Sequence, residues 1–170
     1  KNFTDPIELT YFLSATNQFQ PKNLGSAVVY GLELELRKNF GFILEKLEDF
    51  SFNLNFSLIK SALEMTDAEL ERRTLSLRDG QTIGDTRDMQ GQSPFLINFG
   101  LNYANDSGWQ TSLYYNVQGK TLQVVGTGDV PDAFTMPFHS LDFILNKSFG
   151  EDRRSNISFS VKNILDSTVE

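Results

Sequence analysis

Long stretches of this chain alternate strictly between apolar and polar residues, and that period of two constrains the fold more than any other feature. Val28, Tyr30, Leu32, Leu34 and Leu36 share one side, opposite Val29, Glu33, Glu35 and Arg37. Phe50, Phe52, Leu54, Phe56 and Leu58 oppose Ser51, Asn53, Asn55 and Ser57. The pattern returns in Ile97–Tyr103, Trp109–Gln118, Leu141–Asn146 and Ile157–Lys162, and it opens the chain in Ile7–Leu13. Successive side chains of a strand point to opposite faces, so each stretch reads as a β-strand with one apolar and one polar face. The expectation is an all-β, antiparallel up-and-down meander of about seven strands, each roughly ten residues or longer. Strands of soluble domains are usually about five or six residues, whereas a membrane-crossing strand needs about nine to eleven. Strand length therefore favours a partial segment of a transmembrane β-barrel.

The connections carry a second alternation. Ser14–Gly25, Ser61–Ser93 and Thr121–Pro137 are medium to long, whereas Asn39–Asp49, Asn105–Gly108 and Gly150–Arg154 are shorter. Outer-membrane barrels have short turns on the periplasmic side and longer loops outside. A soluble sandwich has no reason to show this asymmetry. Within the longest segment, Thr66-Asp67-Ala68-Glu69 fits a capping box and predicts a short helix over 67–73. Leu75–Arg78 is expected as a small strand before a turn at Asp79-Gly80.

Composition excludes several classes. Formal net charge is −7, which argues against nucleic acid as a partner, because phosphate binding needs a basic face. There is no cysteine, so disulfides, thiolate metal sites and thiol nucleophiles are absent. A single His rules out a multi-His metal centre. No run of about 18 to 20 apolar residues exists to form a transmembrane helix. The chain begins at Lys1 with neither Met nor a signal peptide, which suggests a mature protein or a piece of a longer one.

Candidate chemistry is thin. Gly119-Lys120-Thr121 resembles the end of a phosphate loop, but Tyr114 stands where that loop needs glycine. His139 has Ser140 and Asp142 nearby, without the Gly-x-Ser-x-Gly elbow; a polar residue at a strand start is the better reading. Asp85, Asp88, Asp129 and Asp132 are loop carboxylates whose spacing fits no Ca²⁺ loop, so solvated charge is expected. No catalytic, metal or cofactor-binding residue is assigned, no cofactor is expected, and no ligand-contacting residue can be named.

The faces have their own logic. Lys60 and Lys147 interrupt the apolar side near strand ends, where a lysine stem can reach headgroups. Phe50, Tyr103, Trp109 and Phe149 all fall at the short-turn end, as in an aromatic girdle. The polar side carries Glu33, Glu35, Arg37, Asn53, Asn55, Asn98, Asn102, Asn116, Asn146 and Lys162. That side suits a barrel lumen or a solvent face equally.

Several stretches, in order, resemble the TonB-dependent outer-membrane receptors of Gram-negative bacteria, in the last third of their barrel. They are Asn23–Ala27 through Tyr30–Glu35; Met89-Gln90-Gly91-Gln92-Ser93-Pro94-Phe95-Leu96-Ile97-Asn98; Tyr115–Lys120 with Val125-Gly126 and Pro131-Asp132; and Leu141–Phe143 with Val161–Asp166. The resemblance implies a plugged barrel that imports a scarce nutrient: a ferric siderophore, cobalamin or a glycan. It implies outer-membrane lipid, an N-terminal plug domain and the TonB energy-transducing complex as partners, in the bacterial outer membrane. On this reading residues 1–170 are part of the barrel domain, without the plug or the final strand, and cannot transport alone. Plugged transporters have about twenty-two strands, and two raw sheet edges would invite pairing. Two other readings stand beside it: a soluble β-sandwich binding glycans through Trp109 and tyrosines, and an outer-membrane enzyme, which the missing catalytic residues disfavour.

Overall fold

A computed structural model describes residues 1–11, 18–127 and 130–168. Among these residues twelve strands follow in order: β1 (Asn2–Thr4), β2 (Ile7–Tyr11), β3 (Phe19–Asn23), β4 (Ser26–Asn39), β5 (Phe50–Glu64), β6 (Thr86–Arg87), β7 (Phe95–Ala104), β8 (Trp109–Gln118), β9 (Thr121–Val124), β10 (Ala133–Thr135), β11 (Phe138–Phe149) and β12 (Ser155–Val161). Among the described residues one α-helix, α1 (Asp67–Leu75), lies between β5 and β6. The main sheet is antiparallel and runs β1-β4-β5-β7-β8-β11-β12, with β6 added beside β5. It is an open meander, in which each long strand pairs with the next long strand in sequence.

Register carries the alternation across the whole sheet. One row reads Leu36, Leu54, Phe99, Tyr115 and Leu141, paired strand by strand from β4 to β11. Another reads Lys38, Phe52, Leu101, Leu113, Phe143 and Val161. A one-residue slip in any pair would send that strand's apolar set to the wrong face. The opposite face has its own rows, such as Glu35, Asn55, Asn98, Asn116 and Ser140.

Among the described residues no second sheet covers the apolar face: Leu32 is 65% exposed and Ile157 63%. A sandwich would bury these side chains against a facing sheet, so the sandwich expectation fails here. The two small sheets, β2-β3 and β9-β10, lie in the long connections at the strand ends.

The first expected strand lands elsewhere. Ile7–Tyr11 leaves the main sheet and pairs with β3, while the three-residue β1 takes the edge beside β4. Phe12 and Leu13 of that expected strand lie outside the described residues. Alternation fixed the strand type of this segment but could not name its partner. The expected small strand at Leu75–Arg78 is absent. Leu75 ends α1, and the Ser76 and Leu77 N–H groups close turns onto Arg73 and Thr74. α1 starts as expected, with Thr66 Oγ1 accepting from the Glu69 N–H at 3.3 Å.

The tight turns keep their expected chemistry. Gly108 has φ +84°, and a Cβ there would sit 2.5 Å from the Ser148 carbonyl oxygen. Only glycine fits both demands, and the same close approach lets Ser148 N–H bond to Gly108 O at 2.9 Å.

Candidate functional site

The long-segment end folds into a cap with an interior of its own. Leu24, Ala27, Leu63 and Met89 are buried together, with Phe3 and Val29 against them. Ala27, Val29 and Leu63 belong to the face that carries asparagines lower down, as the Ala27–Leu63 and Arg37–Asn53 pairs show. The cap therefore closes over the polar side of the sheet, leaving most of the apolar side uncovered; Val117, at the cap end of that side, is buried.

Met89–Pro94, one of the stretches singled out in the sequence, ties the cap together. Met89 N–H donates to Ser61 Oγ at 3.0 Å. The Gln90 side-chain amide behaves as a piece of strand: its Oε1 accepts from Leu9 N–H at 2.7 Å, and its Nε2 donates to Leu9 O and to Gln123 O. It bridges β2 and β9 where their backbones do not pair directly. One step on, Tyr11 N–H reaches Val125 O and Val125 N–H reaches Leu9 O. Gly91 N–H bonds Leu122 O at 2.9 Å, and Ser93 Oγ accepts from Gly119 N–H at 2.9 Å.

Beside this knot runs a chain of charges that the sequence did not announce. Arg87 Nη2 lies 2.7 Å from Glu8 Oε2, and Arg87 Nε lies 2.7 Å from Glu69 Oε1. Glu69 Oε1 also meets Arg73 Nε at 3.0 Å, and the Arg73 guanidinium forks onto both Asp132 oxygens at 2.8 and 3.0 Å. The Glu8 and Arg87 side chains are only 2% and 8% exposed. Their contact is an ion pair whose angle falls short of a hydrogen bond, and neither of the two atoms has another partner. Glu8 Oε1 is bonded by Gln90 N–H at 2.7 Å. The series Glu8–Arg87–Glu69–Arg73–Asp132 thus joins β2, β6, α1 and the segment before β10. Desolvation pushes the Asp132 carboxyl up, but the Arg73 hydrogen bonds and the Gly126 N–H outweigh it and hold it below the usual carboxylate range. Arg73 is held above its ordinary value: burial works against its charge, and Asp132 and Glu69 more than offset this.

Each carboxylate in this series lies against a guanidinium, and the series joins loop segments to α1, so the arrangement clamps loops. Among the described residues no three acidic or histidine side chains converge on a metal position. Asp132 is a clamp residue and not the solvated charge expected of it. Asp129 lies outside the described residues. Asp85 uses its backbone carbonyl to hold Met65 N–H, and the Asp88 carbonyl accepts from Arg87. Lys120 stands over the Phe134 ring at 3.9 Å, and the Gly119 N–H is taken by Phe95 O and Ser93 Oγ, which leaves no phosphate cradle.

His139 sits on the apolar face opposite Val117, with Nδ1 2.7 Å from the Tyr115 hydroxyl. Ser140 and Asp142 occupy the other face, bonded to one another at 2.9 Å. A triad is impossible across the sheet.

Below the cap the polar face is a hydrogen-bonded ladder. Asn102 Oδ1 accepts from Ser112 Oγ at 2.9 Å and from the Tyr114 hydroxyl at 3.1 Å, while its Nδ2 donates to Asn53 Oδ1 at 3.2 Å. Gly100 leaves room for this: a Cβ there would fall 2.4 Å from Asn53 Oδ1. Phe50, Tyr103, Trp109 and Phe149 lie at the short-turn end, as expected. Phe50 and Tyr103 are cross-strand partners with ring centroids 4.7 Å apart, and Lys147 Nζ lies 4.7 Å over the Trp109 ring while bonding Ser107 O.

Compared with known proteins, the chain matches a family model described as TonB dependent receptor-like, beta-barrel, over residues 1–164. No curated protein and no solved structure matches it. With one apolar face, one amide-rich face and a cap over one end, matched by the family model along nearly its whole length, this chain belongs to the TonB-dependent receptor β-barrel family.

Proposed function

We propose that the chain forms part of the barrel wall of an outer-membrane transporter that imports a scarce nutrient, with a ferric siderophore, cobalamin or a glycan as the candidate classes. The observation that carries this reading is the inversion of the sheet. Most of its apolar face is left uncovered, while the opposite face is the one that is hydrogen-bonded and capped. Lipid is the solvent such an outer face requires, and a closed barrel is the sheet that satisfies every backbone group within it. The edge of β4 beyond its short pairing with β1, and the edge of β12, then receive further strands of the same barrel. The proposed partners are outer-membrane lipid, a plug domain in the same receptor, the TonB energy-transducing complex and a small-molecule nutrient. Nothing in the charge pattern suits nucleic acid.

Orientation follows from loop length: the clamped cap faces outside and the tight turns face the periplasm. The test is single-cysteine labelling of the full-length receptor in intact cells with an impermeant maleimide. Cysteines at Ser76 and Val130 should label, and cysteines at Ser107 and Asp152 should not. The reverse pattern inverts the orientation, and labelling at all four removes the membrane crossing.

A further inference from the structure

Three connections sit at the short-turn end, and one of them is unlike the others. Residues 105–108 and 150–154 are short and polar. The link from β4 to β5 spans residues 40–49 and places Phe42, Ile43 and Leu44 in succession, 61%, 62% and 54% exposed. Single exposed apolar residues need no explanation, but a contiguous apolar tip does.

The link is built, not slack. The Asn39 side chain accepts from Gly41 N–H and donates to Glu48 O, closing the link's two ends on each other. Short helical turns at Phe40–Phe42 and Glu45–Leu47 fill it: Ile43 N–H bonds Phe40 O at 2.9 Å, and Leu47 N–H bonds Leu44 O at 2.8 Å. Asp49 O is held by Ala104 N–H at 2.9 Å, which fixes the link to the next turn.

Its direction is fixed as well. The Phe40 ring lies 5.5 Å from the Phe52 ring, and Lys38 stands 5.5 Å over the Phe42 ring. Lys38 and Phe52 are partners on the apolar face. The link therefore curls back toward the side read here as lipid-facing, and its apolar tip continues that surface.

We infer that the 40–49 link is an interfacial membrane anchor, with Phe42, Ile43 and Leu44 inserted at the headgroup–acyl boundary of the leaflet at the short-turn end. Apolar side chains settle at that depth, roughly 5–10 Å into the boundary, when a polar scaffold holds them there. Lys38 and Lys46 are then placed to meet lipid phosphates, while Glu45, Glu48 and Asp49 remain in water. The inference rests on the lipid-facing reading of the sheet, and its test separates the two.

The full-length receptor, otherwise cysteine-free and folded into phosphatidylethanolamine–phosphatidylglycerol vesicles, is spin-labelled singly at Phe42→Cys, Ile43→Cys, Leu44→Cys, Leu34→Cys and Ser107→Cys. Power-saturation EPR reads collision with oxygen, which partitions into lipid, and with a water-soluble nickel chelate. Leu34 reports the strand face and Ser107 the aqueous turn. The expected result is an oxygen-to-nickel ratio at positions 42–44 several-fold above that at Ser107 and approaching that at Leu34. Nickel-accessible labels at 42–44 beside a lipid-like Leu34 would overturn the anchor and leave the barrel reading intact. Labels at 42–44 shielded from both colliders would also overturn it, by showing a protein neighbour. A nickel-accessible Leu34 would overturn the barrel reading and the anchor with it.

Discussion

The Glu8–Arg87 pair in the cap and Leu32 on β4 obey opposite rules within one chain. At the long-segment end charged groups are buried and paired, and Leu63 is fully buried. Along β4 leucines stand exposed on one face while the other carries Glu33 and Glu35. The difference teaches that burial in this molecule is local. The cap excludes water with its own elements, whereas the sheet leaves apolar side chains of β4 uncovered, the face proposed to meet lipid.

The largest expected effect lies in the cap. Arg87→Met strips the counter-charge from Glu8 and removes one of the two guanidiniums on Glu69, which are held by different elements. Breaking one partner of a buried pair costs about 3–5 kcal/mol. Urea unfolding of the receptor folded in bilayers should show a loss of this order, with new protease cuts in residues 65–94; an unchanged midpoint would make the clamp decorative.

Next comes the two-faced sheet. Phe56 pairs Leu34 on the apolar face, and Asn55 pairs Glu35 on the polar face. Phe56→Arg should cost about 2–4 kcal/mol if it lies near the bilayer midplane, and Asn55→Arg far less. Equal losses, measured by folding into vesicles, would abolish the distinction between the faces.

Gln90→Ala is a milder test of the cap. It removes the side-chain bridge between β2 and β9 and leaves the Leu9 N–H to water, a loss of about 0.5–1.5 kcal/mol. Faster hydrogen exchange at Leu9, with exchange in β7 and β8 unchanged, is the expected signature. A global loss would mean that cap and sheet are one cooperative unit.

The smallest effect is titration of Asp132. Its folded pKa lies below the ordinary carboxylate value of about 3.9, so its stabilisation is complete above that value. The contribution is lost as pH falls through the lower, folded value. Protease resistance of the cap should therefore persist to about pH 4 and decline below it, and Asp132→Asn should flatten that step. A decline already under way near neutral pH would assign the sensitivity to another group.

Much of the strand sheet was legible in advance. The rows through Leu36, Leu54 and Phe99 are the period-two pattern repeated, and the turns at 105–108 and 150–154 carry residues that turns require. The cap was not. Glu8 alternates with Ile7 and Leu9 as a solvent-facing strand residue would, yet it is buried. Nothing local marks Arg87, some eighty positions away, as its partner. Glu69 was expected to complete a capping box; its carboxylate turns instead to Arg73 and Arg87, because two guanidiniums outbid a single N–H. The Gln90 bridge lay inside a stretch noted only for its resemblance to a family.

By itself the sequence determined the long strands of the main sheet, which face of each is apolar and which connections are tight, because these depend on residues two to four positions apart; the short strands of the connections were not legible in it. Only the tertiary structure decided that Ile7–Tyr11 leaves the meander for a hairpin, that five charged side chains clamp the cap, and that the Phe42–Leu44 tip curls toward the apolar face. Those outcomes turn on which distant groups meet once water is excluded. An ion pair or a covering layer is worth forming only where the chain has already brought its elements together, and no local spacing encodes that meeting.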